Sequence, residues 1–348
     1  MKRGGRDPRR TPDPPPYGTA VTTGFRRVCL VIASLSTPLV AQDSSATGHF
    51  HVGLTVHDWG ISIGNAPRVN GLRINIQDAG LERVNGINVT LWKPRDPLSG
   101  TVNGLQVGLV PGSQIVSGIA LGVGGVVAER RARWVTVSGL GAVSNGDFSG
   151  LVVGGLGTVA NRDISGIALG GLGTVANRRI TGIAVAGLGT VANEDIVGVA
   201  IAGLGTVANR DITGVGVAGL GLVANDAVRG LAVGGLGTVA NGSISGIAIG
   251  GLAVVTNGRL TGVAIGGLAV VANAAVRGIG IAGYTVDSHA LTGVSVSAYN
   301  RVRGPQRGLT IGLYNSAYEL HGVQVGVLNR AKNNRAPFKI LPLVNLHL

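Results

Sequence analysis

His49, His51 and His57 share one strand parity beside Asp58, and imidazoles gathered with a carboxylate are what a divalent transition metal takes as ligands. No further ligand stands at a firm spacing, so these side chains read as surface histidines of a first structural unit, and no metal or other cofactor is expected. Gly214-Val215-Gly216-Val217-Ala218-Gly219 fits the glycine fingerprint whose backbone amides approach a dinucleotide pyrophosphate. That fingerprint works only where a helix follows, and none is expected here; with 61 glycines in 348 residues such matches arise by chance. Gly171-Leu172-Gly173-Thr174 matches part of the calcium-binding nonapeptide but lacks its Asp. A file of hydroxyls at Thr158, Thr174, Thr190, Thr206 and Thr238 has the spacing to meet a glycan or an ice surface, although Leu222, Val254 and Val270 interrupt it. No nucleophile stands with a base and an orienting partner. The chain therefore reads as non-enzymatic, with no catalytic residue to name.

What recurs most strictly is not a reactive group but an amide. Asn161, Asn177, Asn193, Asn209, Asn225, Asn241, Asn257 and Asn273 follow one another at a spacing of sixteen, and glycine keeps the same beat at 150, 166, 182, 198, 214, 230, 246, 262 and 278. A short fixed period dictates architecture before any other feature does. In one unit, Ile164, Ile167, Leu169, Leu172 and Val175 are large and apolar, while Ser165, Ala168, Gly170, Gly173, Thr174 and Ala176 are small or polar. Ile167 and Leu169 alternate as a strand does, but Leu172 has the opposite parity, so the chain must bend. Gly170-Gly171, Gly166 and Asn177-Arg178 are where bending costs least. Three corners would turn the five large side chains inward and the small ones outward, giving one coil of an all-β solenoid. Its expected core holds Ile167, Leu169, Leu172, Val175, Ile201, Leu204 and Val207, and its asparagines form a ladder along the axis, each amide bonded to the next. About sixteen coils at about 4.8 Å each predict a rod of the order of 75–80 Å.

A transmembrane antiparallel β-barrel is the competing expectation. Sixteen residues hold a spanning strand and a turn, and Ile340, Pro342, Val344, Leu346 and Leu348 alternate like a closing strand. Aromatic residues make up only 3% of the chain, too few for two interfacial girdles, and the turns show no two-unit alternation.

The remaining regions frame this array. Residues 1–41 read as an Arg- and Pro-rich, disordered n-region followed by a signal peptide, whose apolar VCLVIASLSTPLVA is too short to span a bilayer. Residues 42–133 read as irregular repeats that cap one end, 134–282 as the regular array, and 283–348 as irregular repeats that cap the other. In the first of these, Arg73, Asn88 and Gln106 hold the third place of a Gly-apolar-polar-apolar core, which places them on the outside, and Glu129 to Arg133 read as a charged turn. Cys29 is the only cysteine and lies in the signal, so the exported chain has no disulfide. The formal charge of the whole chain is +13, but its basic residues do not interleave with stacking aromatics, which argues against nucleic acid. Arg162, Arg178, Arg179 and Arg210 fall at coil corners instead, as a solvated edge.

Gly104-Leu105-Gln106-Val107-Gly108-Leu109, Gly308-Leu309-Thr310-Ile311-Gly312-Leu313-Tyr314-Asn315 and Gly322-Val323-Gln324-Val325-Gly326-Val327-Leu328-Asn329 resemble the repeats of the bacterial surface repeat-containing proteins. The ending from Pro337 to Asn345 is similar to that family's closing segment. The resemblance implies an exported protein of the outer membrane or cell surface and carries no catalytic residues over. It makes a structural or interaction protein of the envelope the leading expectation, with envelope components or other surface proteins as partners, and with membrane association and self-association both in keeping with so little charge in the array. An outer-membrane pore and a ligand-binding Thr file are the alternatives.

Overall fold

In a computed structural model, which describes residues 51–95 and 97–347, strands connected by turns account for the whole repeat array and no described residue is helical. Each unit makes one long strand, such as Ile164–Gly170, and one short strand, such as Gly173–Ala176. The long strand pairs in parallel with Ile180–Ala186, placing Ile164 beside Ile180 and Gly166 beside Gly182, and the short strand pairs in parallel with Gly189–Ala192. Each strand pairing in the array therefore joins a residue to its equivalent sixteen positions on, and the result is a β-solenoid of about 15 turns, not a barrel. The barrel expectation fails at this pairing, since successive strands of an up-and-down barrel would run antiparallel.

Bends fall where expected. One corner lies at 171–172 and another at 177–178, and Gly166 bends the long strand with φ of 118°. A Cβ on Gly166 would sit 2.2 Å from the carbonyl oxygen of Gly150 in the preceding coil, so stacking leaves little room for a side chain at this place. At the opposite corner the asparagines form the expected ladder: Nδ2 of each donates to Oδ1 of the one before it, at 2.8–3.5 Å from Asn161→Asn145 through Asn273→Asn257.

Ile164 is buried and Ser165 exposed as expected, but the rest of the two faces are the reverse of the expectation. Ile167, Leu169, Leu172, Ile201 and Leu204 are exposed and Val175 and Val207 are partly so, whereas Ala168, Thr174, Ala176 and Ala200 are fully buried beside Ile164. Size explains this. Coils of sixteen residues enclose a lumen that tapers toward the 171–172 corner, where a Cβ on Gly170 would lie 2.1 Å from the Gly173 carbonyl oxygen. Ile164 fits at the broad end, Ala168, Thr174 and Ala176 in the middle, and only Gly or Ala at the narrow end. The packing is tight enough to couple positions: where Thr206 is replaced one coil on by Leu222, Ala200 is replaced by Gly216, at which a Cβ would lie 2.5 Å from the Leu222 Cδ1.

The same reversal moves the polar residues. Thr158, Thr174, Thr190, Thr206 and Thr238 are fully buried, and three of them donate to carbonyls of the following coil, as Thr238 Oγ1 does to Ile249 O at 2.8 Å. The Thr file thus lines the lumen and presents no hydroxyls to a surface ligand. Arg73, Asn88 and Gln106 likewise point inward, fully buried, because their position is the one Ala168 occupies in the array.

Both ends depart from the array. His51–Val56 pairs antiparallel with Trp59–Gly64 at one end, and Ile340–His347 pairs antiparallel with 322–330 at the other, so each open coil edge meets a reversed strand. Near the first end Arg73 forms a buried ion pair with Asp78, whose carboxylate also accepts from Asn88 Nδ2 at 3.1 Å and Thr90 Oγ1 at 2.6 Å. Toward the other end an internal amide file links Asn300, Asn315 and Asn329 at 2.7 Å per step. Glu129 to Arg133, expected as a turn, continue a strand, Gly125–Ser138. The expected signal peptide lies outside the described residues.

Candidate functional surface

Because the lumen of a typical coil takes a large aliphatic side chain only at its broad end, in the Ile164 column, the other large aliphatic ones are displaced to the outside, where they stack into columns. Equivalents of Ile167 and Leu169 line the outer flank of the long strands, equivalents of Leu172 cap the corner, and equivalents of Val175 line the short strands. At the corner, leucine returns every sixteen residues from Leu140 to Leu268 with exposures of 46–56%. From residue 151 to 281 none of the side chains in these four columns is charged. At about 4.8 Å per coil and about 3.3 Å per residue, the nine coils from Leu140 to Leu268 present, on the flank from the Ile167 column to the corner alone, a face of the order of 700 Å², above the 300–600 Å² of the largest patch on a typical soluble monomer. Near its end Ala298 takes the corner place after Tyr284, and a shallow hollow of ≈ 570 Å³ opens there, lined by Ile311, Leu313, Val325 and Leu343 among others.

Most of the array's charge gathers at the opposite corner. Arg178 lies 3.5 Å from Asp163 and 3.7 Å from Glu194, and Arg210 lies 2.7 Å from Asp195, which also takes Arg179 at 2.9 Å. Burial raises the pKa of the Asp195 carboxyl, but hydrogen bonds from Arg179 and Arg210 and from the Asp211 amide outweigh it and hold the group below its usual value. The arginines expected at coil corners are there, and they are engaged with carboxylates of neighbouring coils.

The other residues with candidate chemistry do not converge. His57 and Asp58 form the tight turn of the first hairpin with φ of 52° and 67°, while His49 lies outside the described residues. Among the described residues no three His, Cys, Asp or Glu side chains gather around a common point. Gly214–Gly219 begins within the strand Ile212–Ala218, and the next strand, Gly221–Ala224, follows it. The exposed aliphatic columns are the feature that sequence reasoning assigned wrongly, although two signals pointed to them. In the Ile167 and Leu169 columns the residues exchange among Ile, Leu and Val, while the Ala168 column stays with Ala or Gly through most of the array and gives way to Gly at the coil where Leu222 appears. Invariant smallness and compensating volume mark a core more surely than size does.

All three tryptophans, Trp59, Trp92 and Trp134, are exposed, at 69%, 59% and 70%. Trp134 takes a place in the glycine column between Gly118 and Gly150, and holds a left-handed φ of 83°. No protein-family model, curated protein or solved structure matches the chain.

Proposed function

We propose that the protein is a non-enzymatic structural or interaction protein of the bacterial cell envelope, a rod whose apolar edge is its working surface. The observation that carries this reading is the unbroken, uncharged run of exposed leucines from Leu140 to Leu268. Such a surface has no means of polarising a bond or moving a proton; it binds by removing apolar area from water. The expected signal peptide and the Gly-Leu-Gln-Val type repeats, similar to those of bacterial surface repeat-containing proteins, support the exported address. Fractionation of native cells tests it: the protein is expected with the outer membrane or the released surface material, and recovery from the cytoplasm would overturn the reading.

A further inference from the structure

The apolar edge is a wedge rather than a flat patch. Ile167 and Leu169 line one flank, Val175 the other, and the two flanks meet at Leu172 on the corner. A flat partner laid on one flank would leave the corner and the other flank in water, whereas a fluid apolar medium covers all three. At about 3.3 Å per residue, the flank from Ile167 to the corner is about 15 Å deep, half of the ~30 Å hydrocarbon core of a bilayer. Hydrocarbon tolerates backbone only where its polar groups are paired within the protein. The corner meets that demand: the amides of Gly187, Leu188 and Gly189 donate to carbonyls of residues 170–172 in the coil before, at 2.8–3.2 Å, and the pattern repeats coil after coil.

Where the apolar flank ends, the side chains change to those suited to headgroups. The glycine column through Gly166 marks the boundary. The column just on its polar side holds Arg133, Arg229, Arg277 and Arg307, all exposed, and no acidic residue from Asn70 to His321. Arg229 leans on Asp211 at 2.8 Å from the coil before. These guanidinium groups, spread among serine, threonine and valine over the twelve coils from Arg133 to Arg307, are complementary to phosphate. On the boundary itself stands Trp134, whose amphipathic ring is of the kind that settles at the headgroup level, held there in a strained left-handed conformation.

We propose that this edge inserts into one leaflet of a phospholipid bilayer, with the rod lying in the membrane plane, the arginine column at the headgroups and the asparagine ladder in water. The proposal rests on the reading of the apolar edge as the working surface and adds its occupant.

Flotation of the full chain with vesicles of phosphatidylethanolamine and phosphatidylglycerol tests it. The comparison is with Leu188→Asn, Leu204→Asn and Leu220→Asn combined, and with Thr181→Asn, Val197→Asn and Thr213→Asn on the polar side as control. Each site is on the outer face of the coil, so both variants should keep the wild-type circular dichroism. Wild type and control are expected to float alike, and the edge variant to lose at least 30-fold in partitioning. Depth is read separately, because apolar residues 28–41 could themselves hold the chain to lipid: emission added by Leu204→Trp should be quenched by acyl-chain-brominated lipid at least twice as strongly as that added by Thr213→Trp. Equal quenching at the two sites would overturn the proposal. Should the edge variant instead split a dimer seen by sedimentation without lipid and float as wild type does, a second copy covers the edge; insertion then falls while the working surface stands. An edge variant that changes neither flotation nor self-association would remove both.

Discussion

At the scale of single residues, two side chains carry separate tests, one of backbone strain and one of charge. Trp134 occupies a place that is glycine in the coils on either side, at φ of 83°. Replacing it by glycine removes left-handed strain from a side chain that is 70% exposed and so contributes little packing. Trp134→Gly is therefore expected to stabilise the fold by about 1 kcal/mol, read as a higher denaturant midpoint with an unchanged slope; a lower midpoint would mean that the indole packs more than its exposure indicates. Asp195 is the second. Arg179 and Arg210 hold its pKa below the ordinary carboxylate value, so the folded state binds its proton less readily than the unfolded state does. The stability it contributes is fully present above the unfolded value of about 3.9 and is lost as the pH falls through the lower folded value. Asp195→Asn should thus lower the melting temperature at pH 6 and lose that effect in strong acid, and an equal effect at both pH values would contradict the assignment.

At the scale of the coil, glycines that look alike in sequence do different work. A Cβ on Gly198 would meet the Gly182 carbonyl oxygen at 2.1 Å with φ at 119°, while one on Gly189 would find nothing nearer than 3.7 Å. Gly198→Ala is expected to cost on the order of 3 kcal/mol and Gly189→Ala to stay within about 0.5 kcal/mol, measured by denaturant unfolding. Similar costs at the two sites would deny that coil-to-coil contact fixes the column. The period, the three bends and the asparagine ladder were legible in the sequence because each follows from spacing and from one residue's backbone chemistry. The direction of the faces was not. Parity says only that Ala168 and Leu169 lie on opposite sides. Assigning the inside to the larger residue assumes a lumen wide enough for it, and sixteen residues per coil enclose too little. Arg73 misled in the same way, since nothing in the sequence discloses that Asp78, Asn65 and Asn88 meet its guanidinium inside.

At the scale of the whole molecule, a rod of about 15 turns is held by contacts between neighbouring coils, so its stability is a sum of nearly equal steps. Removing one whole unit, 196–211, should leave a folded rod shorter by about 4.8 Å, whereas removing eight residues should break the register of every column and yield aggregate on size exclusion. Equal tolerance of the two deletions would contradict stacking. Apart from the Ile164 column, this rod carries its small side chains within and its large aliphatic ones without. Ala200, Ile201 and Leu204 test it most directly, being 0%, 41% and 46% exposed. Thermal unfolding of three single variants in detergent-free buffer is the measurement. Ala200→Arg should lose on the order of 3–5 kcal/mol, because no acid stands in the lumen to meet it as Asp78 meets Arg73, while Ile201→Arg and Leu204→Arg should each stay within about 0.5 kcal/mol. The opposite order, with Ile201→Arg and Leu204→Arg severe and Ala200→Arg mild, would turn the coil inside out and contradict this placement of the side chains.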